Sequence, residues 1–283
     1  MGFIAELFGY LLNALYVAFN NYGIAIIIFS IILRIILIPI TIKQQKSMKK
    51  SAKLQEEMKE ISRKYKNNPE KLNQETIDLY KREKMSPFSG CLSSIVQIII
   101  ILSVFWLVSQ PLTYMKRVDQ DLIKQYKEEI QTEENGQKSS YSEIEIINKK
   151  GAEDSRVSIN MEFLGLDLSK VPGNNLNDLK VYVIPVLYVI SSIISIRMTT
   201  KMTKDKETAN KSDNGEDKEQ DQLEAMQEMN KNMAYMMPIM SIFIAFIAPL
   251  GLALYWFVSN LLIILERIII DKRMKHKEEE ENA

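Results

Sequence analysis

The chain has 283 residues, 36 basic and 36 acidic side chains, and a formal net charge of zero. One cysteine, Cys91, and one histidine, His276, exclude an internal disulfide, a cysteine-based metal cage, Ser–His catalysis and paired-histidine zinc sites. No GxSxG or phosphate-binding loop occurs, so the sequence points away from an enzyme and implies no cofactor and no metal.

The neutral total hides segregation. Charges are nearly absent from four apolar regions, 24–42, 91–112, 181–198 and 234–270, and crowd between them. Spanning a bilayer takes roughly 20 apolar residues per helix. The last region is about twice that, and "APLGL" at 248–252 breaks it, because Pro249 and Gly251 favour a turn. Five spans result. The expected fold is an all-α polytopic membrane protein.

In chain order, residues 1–22 place Phe3, Leu7, Leu11, Leu15 and Phe19 at helical spacing, with no basic n-region or cleavage motif. They read as an amphipathic helix on the outer membrane face; an additional short span is the alternative. Residues 23–42 form the first span. Within it Ser30, Arg34 and Thr41 fall within about 40° of one another at ~100° per residue, which makes one face polar.

Residues 43–85 read as a helical hairpin. Leu54, Met58, Ile61 and Tyr65 line one helix; Leu72, Thr76, Leu79 and Tyr80 line the other. Asn68 is placed to cap the second helix and Pro69 suits its first turn. Residues 86–112 are the second span, with Ser93, Ser94 and Gln97 clustered in one half. Residues 113–178 are a loop, in which 119–157 is charged and reads as partly helical, without a defined fold.

Residues 179–199 are the third span, with Ser191, Ser192 and Ser195 again in one half. Residues 200–231 carry "KDKETANKSDNGEDKEQDQ", a disordered-linker composition. Met226, Met229, Met233, Met236 and Met237 lead into the fourth span, 232–248. The fifth, 249–270, carries Tyr255, Trp256, Ser259 and Asn260, and 271–283 is a charged tail.

Lysine and arginine crowd 43–85 and recur at Arg197, Lys201, Lys204 and Lys206, whereas 113–178 is more acidic. The positive-inside rule then puts the N-terminus outside and the hairpin, the 200–231 loop and the C-terminus in the cytoplasm. On this orientation the polar side chains of the spans lie in their cytoplasmic halves. Serines of this kind commonly serve helix–helix contacts. Arg34 demands more, since a charge at the bilayer centre costs from ~2.5 to ~17 kcal/mol without water or a partner. Glu266 is assigned to headgroups or Arg267, so Arg34 is expected to be unpaired and to lie in a hydrated cavity open to the cytoplasm.

These stretches resemble the YidC/Oxa-type membrane protein insertases, in their bacterial five-span, Gram-positive-like form. "IILRIILIPITIKQQKSMKKSAKLQEEMKEISRKYKNNPEKLNQE" is similar to the family's first core span and hairpin, and "MSPFSGCLSSIVQIII" to its second span. "FLGLDLSK" and "MPIMSIFIAFIAPLGLALYWFVSNLL" are similar to the approach to its third span and to its final pair of helices.

The resemblance implies five spans around a hydrophilic groove open to cytoplasm and lipid. Its arginine draws in short acidic extracellular tails of nascent membrane proteins. On this reading Arg34 is the groove charge. Ser30, Thr41, Ser94, Gln97, Ser191, Ser195 and Asn260 line the groove, and Tyr255 and Trp256 belong to the substrate-contacting final helix. The implied partners are nascent membrane proteins, the lipid bilayer, the Sec translocon and the ribosome, with no specific nucleic acid.

Departures from the family pattern fall at Ser93 and Ile99, where prolines are usual, and around Ser195 and Ile196, where a glutamine is common. The N-terminus lacks the lipoprotein cysteine of many Gram-positive relatives, and the tail lacks a long basic ribosome-docking segment. Two other classes are compatible with a polytopic chain of this kind: an anion channel or transporter with Arg34 as its site, and a membrane scaffold that recruits partners through the hairpin. The first lacks an inverted repeat; the second leaves Arg34 unexplained.

Overall fold

The computed structural model describes residues 2–65, 68–83, 89–133, 140–207, 240 and 243–281. The expected linker beyond residue 207, the Met-rich lead and most of the fourth span lie outside these residues. Two compact units are present: Met1–Arg34 with Leu102–Asn214 and Glu228–Ala283, and Ile35–Ile101 with Gly215–Gln227.

In the larger unit, α1 (Gly2–Phe19) buries Ala5, Gly9 and Leu12, one residue per helical turn. This stripe packs on a π-helical turn, Leu112–Lys116. Gly9 is needed there, because a Cβ added to it would lie 1.9 Å from the Tyr114 carbonyl oxygen. The large apolar side chains Phe3, Leu7 and Val17 stay exposed. By length and apolarity α1 meets the requirement of a membrane-crossing helix, as do Tyr22–Lys43, Leu179–Met198 and Leu250–Ile270. The chain is an all-α polytopic membrane protein; among the described residues its loop region also holds one hairpin of two-residue strands.

α1 ends at Asn20, whose φ of 45° reverses the chain. Asn21 then caps the next helix, its Oδ1 accepting from the Ile24 amide at 3.0 Å. That helix, α2 (Tyr22–Lys64), is continuous through Pro39. The first span and the first arm of the hairpin are thus one helix. In its first turns Tyr22, Ala25, Ile26, Phe29, Ser30 and Leu33 are buried, a stripe of three- and four-residue steps. Ile31 faces outward.

The loop 113–178 is ordered where it is described. α5 (Gln120–Glu133) and α6 (Ser142–Lys150) pack against each other. β1 (Glu162–Phe163) and β2 (Leu166–Asp167) pair antiparallel. Leu164 and Gly165, with φ of 51° and 74°, make the two-residue turn that suits strand twist. This segment ties helix starts together. The Tyr22 amide donates to Asn160 O at 3.1 Å, and the Leu250 and Gly251 amides donate to Lys170 O and Leu168 O, each at 2.9 Å. First-turn amides that a helix cannot satisfy internally are thereby satisfied.

α7 (Val183–Glu207) and α8 (Leu250–Glu281) form the most extensive helix pair of this unit. Pro249 precedes α8, as the break in "APLGL" requires.

In the smaller unit, the later turns of α2 and α3 (Pro69–Arg82) form the hairpin. Asn68 Oδ1 accepts from the Lys71 amide at 3.1 Å, the expected cap. Leu54 and Leu79 are buried, Tyr80 Oη lies 3.5 Å from Met58 Sδ, and Arg82 pairs with Glu57. α4 (Ser89–Ser109) begins in this unit.

Candidate functional site

Arg34 extends the buried stripe of α2, one turn beyond Ser30 and two beyond Ile26. Its side chain is 17% exposed. Contrary to expectation it is not unpaired. Its Nη2 forms an ion pair with Glu266 Oε2, and Glu266 is 7% exposed. The reason is geometric. A Cβ on Gly251 would lie 3.3 Å from Tyr22 Cε1 and 3.6 Å from Ile26 Cδ1, so α2 and α8 begin side by side. Arg34 lies twelve residues beyond Tyr22 and Glu266 fifteen beyond Gly251. At ~1.5 Å per residue those positions are about 18 and about 22 Å along their helices. An arginine side chain bridges such an offset. Glu266 is the sole acid in the four apolar regions.

α8 presents two faces. Tyr255, Ser259, Leu262 and Glu266 recur at four- and three-residue steps and share one. On it the ring of Tyr255 lies 6.5 Å from that of Phe29 on α2. Trp256 and Asn260, one turn apart, point to α7. The Trp256 and Tyr188 rings are 6.1 Å apart. Asn260 Nδ2 donates to Ser191 Oγ at 3.0 Å and to Ser192 Oγ at 3.2 Å, and Ser191 Oγ donates to Tyr188 O at 2.8 Å.

The residues expected to line a groove therefore divide. Ser30 is buried, with Oγ donating to Ile26 O at 2.7 Å. Ser191 is buried in the α7–α8 contact, where it serves helix packing. Tyr255 is buried; Arg34, Ser195, Trp256 and Asn260 are partly exposed. Thr41, in the smaller unit, donates to Leu37 O at 3.2 Å on its own helix. Ser94 and Gln97 belong to α4, and their side chains lie outside the described residues. The pair is electrostatic more than directional: Arg34 Nε and both Glu266 oxygens are buried without a hydrogen-bond partner among the described residues.

A second buried acid was not foreseen. Glu143 on α6 is 1% exposed. Its Oε2 accepts from the Leu112 and Thr113 amides at 2.8 and 3.0 Å, and its Oε1 from Thr113 Oγ1 at 2.6 Å. It thus holds the start of the π-turn on which α1 rests. Burial pushes its carboxyl above the ordinary range, and the Thr113 and Leu112 hydrogen bonds oppose that. Nothing in the charged run around it marks it in sequence. Among the described residues no group of His, Cys, Asp and Glu is placed to hold a metal.

Comparison with known proteins is consistent across the chain. Residues 14–278 match the family described as 60Kd inner membrane protein. A Fusobacterium nucleatum protein named membrane protein insertase YidC is 27% identical over 270 residues, covering 95% of this chain and 96% of the relative. A Treponema denticola protein of the same name is 26% identical over 277 residues, 97% of this chain but 39% of the relative. A Listeria innocua protein named membrane protein insertase YidC 2 is 26% identical over 269 residues, 93% of this chain and 68% of the relative. The chain thus spans well under half of the Treponema relative and nearly all of the Fusobacterium one.

Proposed function

The chain belongs to the 60Kd inner membrane protein family, the YidC family of bacterial membrane proteins, and from that premise we propose that it is a membrane protein insertase and chaperone. Nascent membrane proteins are its substrates and the bilayer its medium. The acidic extracellular tail of a substrate is drawn toward Arg34 from the cytoplasmic side, and its apolar helix passes into lipid beside α8. No bond is made or broken. The work is electrostatic attraction followed by transfer of apolar surface into hydrocarbon.

The observation that carries this reading is Arg34 itself. A guanidinium deep in an apolar helix is maintained only with a partner or water. Here, among the described residues, it is paired with one acid, Glu266. A carboxylate is therefore the chemistry the position accepts. In the topology we propose, the N-terminus lies outside, the hairpin and C-terminus lie in the cytoplasm, and the hairpin receives substrates directly or from Sec or the ribosome.

A photo-crosslinker at Trp256 tests the reading. Ribosome-bound chains of a single-span membrane protein should be captured there during insertion. Capture only at Ile31, on the outward face of α2, would contradict it.

A further inference from the structure

We infer that Glu266 is a built-in counter-ion that an acidic substrate tail must displace from Arg34, and that it thereby sets how acidic a tail must be to enter. The inference rests on the insertase reading and specifies the selectivity of the same site.

Three observations carry it. Glu266 is the sole acid in the apolar regions, and the parallel start of α2 and α8 brings it to Arg34. Its contact is incomplete. The closest approach is Nη2 to Oε2, and among the described residues Arg34 Nε and Glu266 Oε1 have no hydrogen-bond partner. A guanidinium can take a carboxylate through two parallel N–H donors, and that stronger arrangement is left unused. Finally, Arg34 keeps partial exposure whereas Glu266 is buried, so the cation is the accessible member.

The consequence is competition. Glu266 is tethered, so it acts at a high effective concentration, of millimolar order for a short flexible link and more for a fixed one. A neutral tail offers Arg34 nothing in exchange. A tail with one carboxylate competes one for one with a tethered rival. A tail with two or three offers repeated chances to rebind. Exchange of one carboxylate for another keeps Arg34 paired but leaves the buried Glu266 without its cation, a cost the incoming acids must offset. The pair acts as a threshold on tail charge, and Glu266 is a specificity-determining residue.

The test uses the full chain in liposomes and a synthetic single-span substrate with no, one, two or three aspartates in its N-terminal tail. Wild type should insert these in increasing order. Glu266→Gln removes the competing charge, so the one-aspartate tail should insert better by about threefold or more, and the curve should flatten beyond it. Glu266→Asp keeps the charge but retracts it by one methylene, and should shift the curve the same way by less. It also decides the matter if Glu266→Gln does not fold. Wild-type dependence on tail charge in Glu266→Asp, and in Glu266→Gln where it folds, would overturn the counter-ion role. The insertase reading would survive that result provided Arg34→Gln abolished the dependence. Persistence of the dependence in Arg34→Gln would instead sink the insertase site itself.

Discussion

Arg34 of α2 and Glu266 of α8 form an ion pair between two helices that start side by side. Each is the buried or half-buried continuation of a packed stripe: Ile26, Ser30, Arg34 on one helix and Tyr255, Ser259, Glu266 on the other. Truncating one partner leaves the other charge without compensation, which in buried pairs costs about 3–5 kcal/mol. Arg34→Ala and Glu266→Gln should each lower the unfolding temperature in detergent. The double variant should be less destabilised than the sum of the two. Additive losses would show that the pair is not coupled.

Glu143 should matter to the fold as strongly as an apolar core residue. Glu143→Ala leaves the Leu112 amide, the Thr113 amide and the Thr113 hydroxyl without their acceptor. Each stranded buried donor costs about 1–3 kcal/mol. The expected result is loss of α1 docking, read as faster amide exchange across 5–12 and 112–116. Unchanged exchange would contradict the role given to Glu143.

Asp154 supplies a pH dependence. Its carboxylate accepts from the Arg156 guanidinium and backbone amide and from Tyr126 Oη, and these bonds hold it well below the ordinary carboxylate range. Its folded pKa is depressed, so its contribution to stability is present above the unfolded value near ~4 and is lost as pH falls through the folded one. Asp154→Asn should therefore loosen α5 against this turn at neutral pH. The difference between variant and wild type should shrink as pH falls well below the ordinary carboxylate range. Hydrogen exchange in 120–133 measures it; a difference that grows with acidity would carry the wrong sign.

Much of this was legible in the sequence. Apolar length found the spans within α2, α7 and α8, Asn68 and Pro69 found the start of α3, and Pro249 found the start of α8; α1, read as a surface helix, is itself long and apolar enough to cross a membrane. The pairing of Arg34 was not. Distance from the end of the last span sent Glu266 to the membrane surface. The spacing Tyr255, Ser259, Leu262, Glu266 would have put it on the same face as residues turned to α2. What the spacing cannot supply is the partner helix, since the register between α8 and α2 is set by the approach of Gly251 to Tyr22 and Ile26 and of Tyr255 to Phe29. The region 119–157 resisted reading for a different reason. α5 buries only Ile123 and Ile130 among its described side chains, and one of the four residues α6 buries, Glu143, is an acid whose burial depends on donors about thirty residues away.

The neutralised pair is the cleanest test of the central claim, because it removes the charge without stranding its partner. Insertion of a single-span substrate with an acidic N-terminal tail by liposomes carrying the Arg34→Gln, Glu266→Gln double variant should fall to background, while Arg34→Lys retains most of it. Wild-type insertion by the well-folded double variant would contradict the claim that the Arg34 charge draws substrates in.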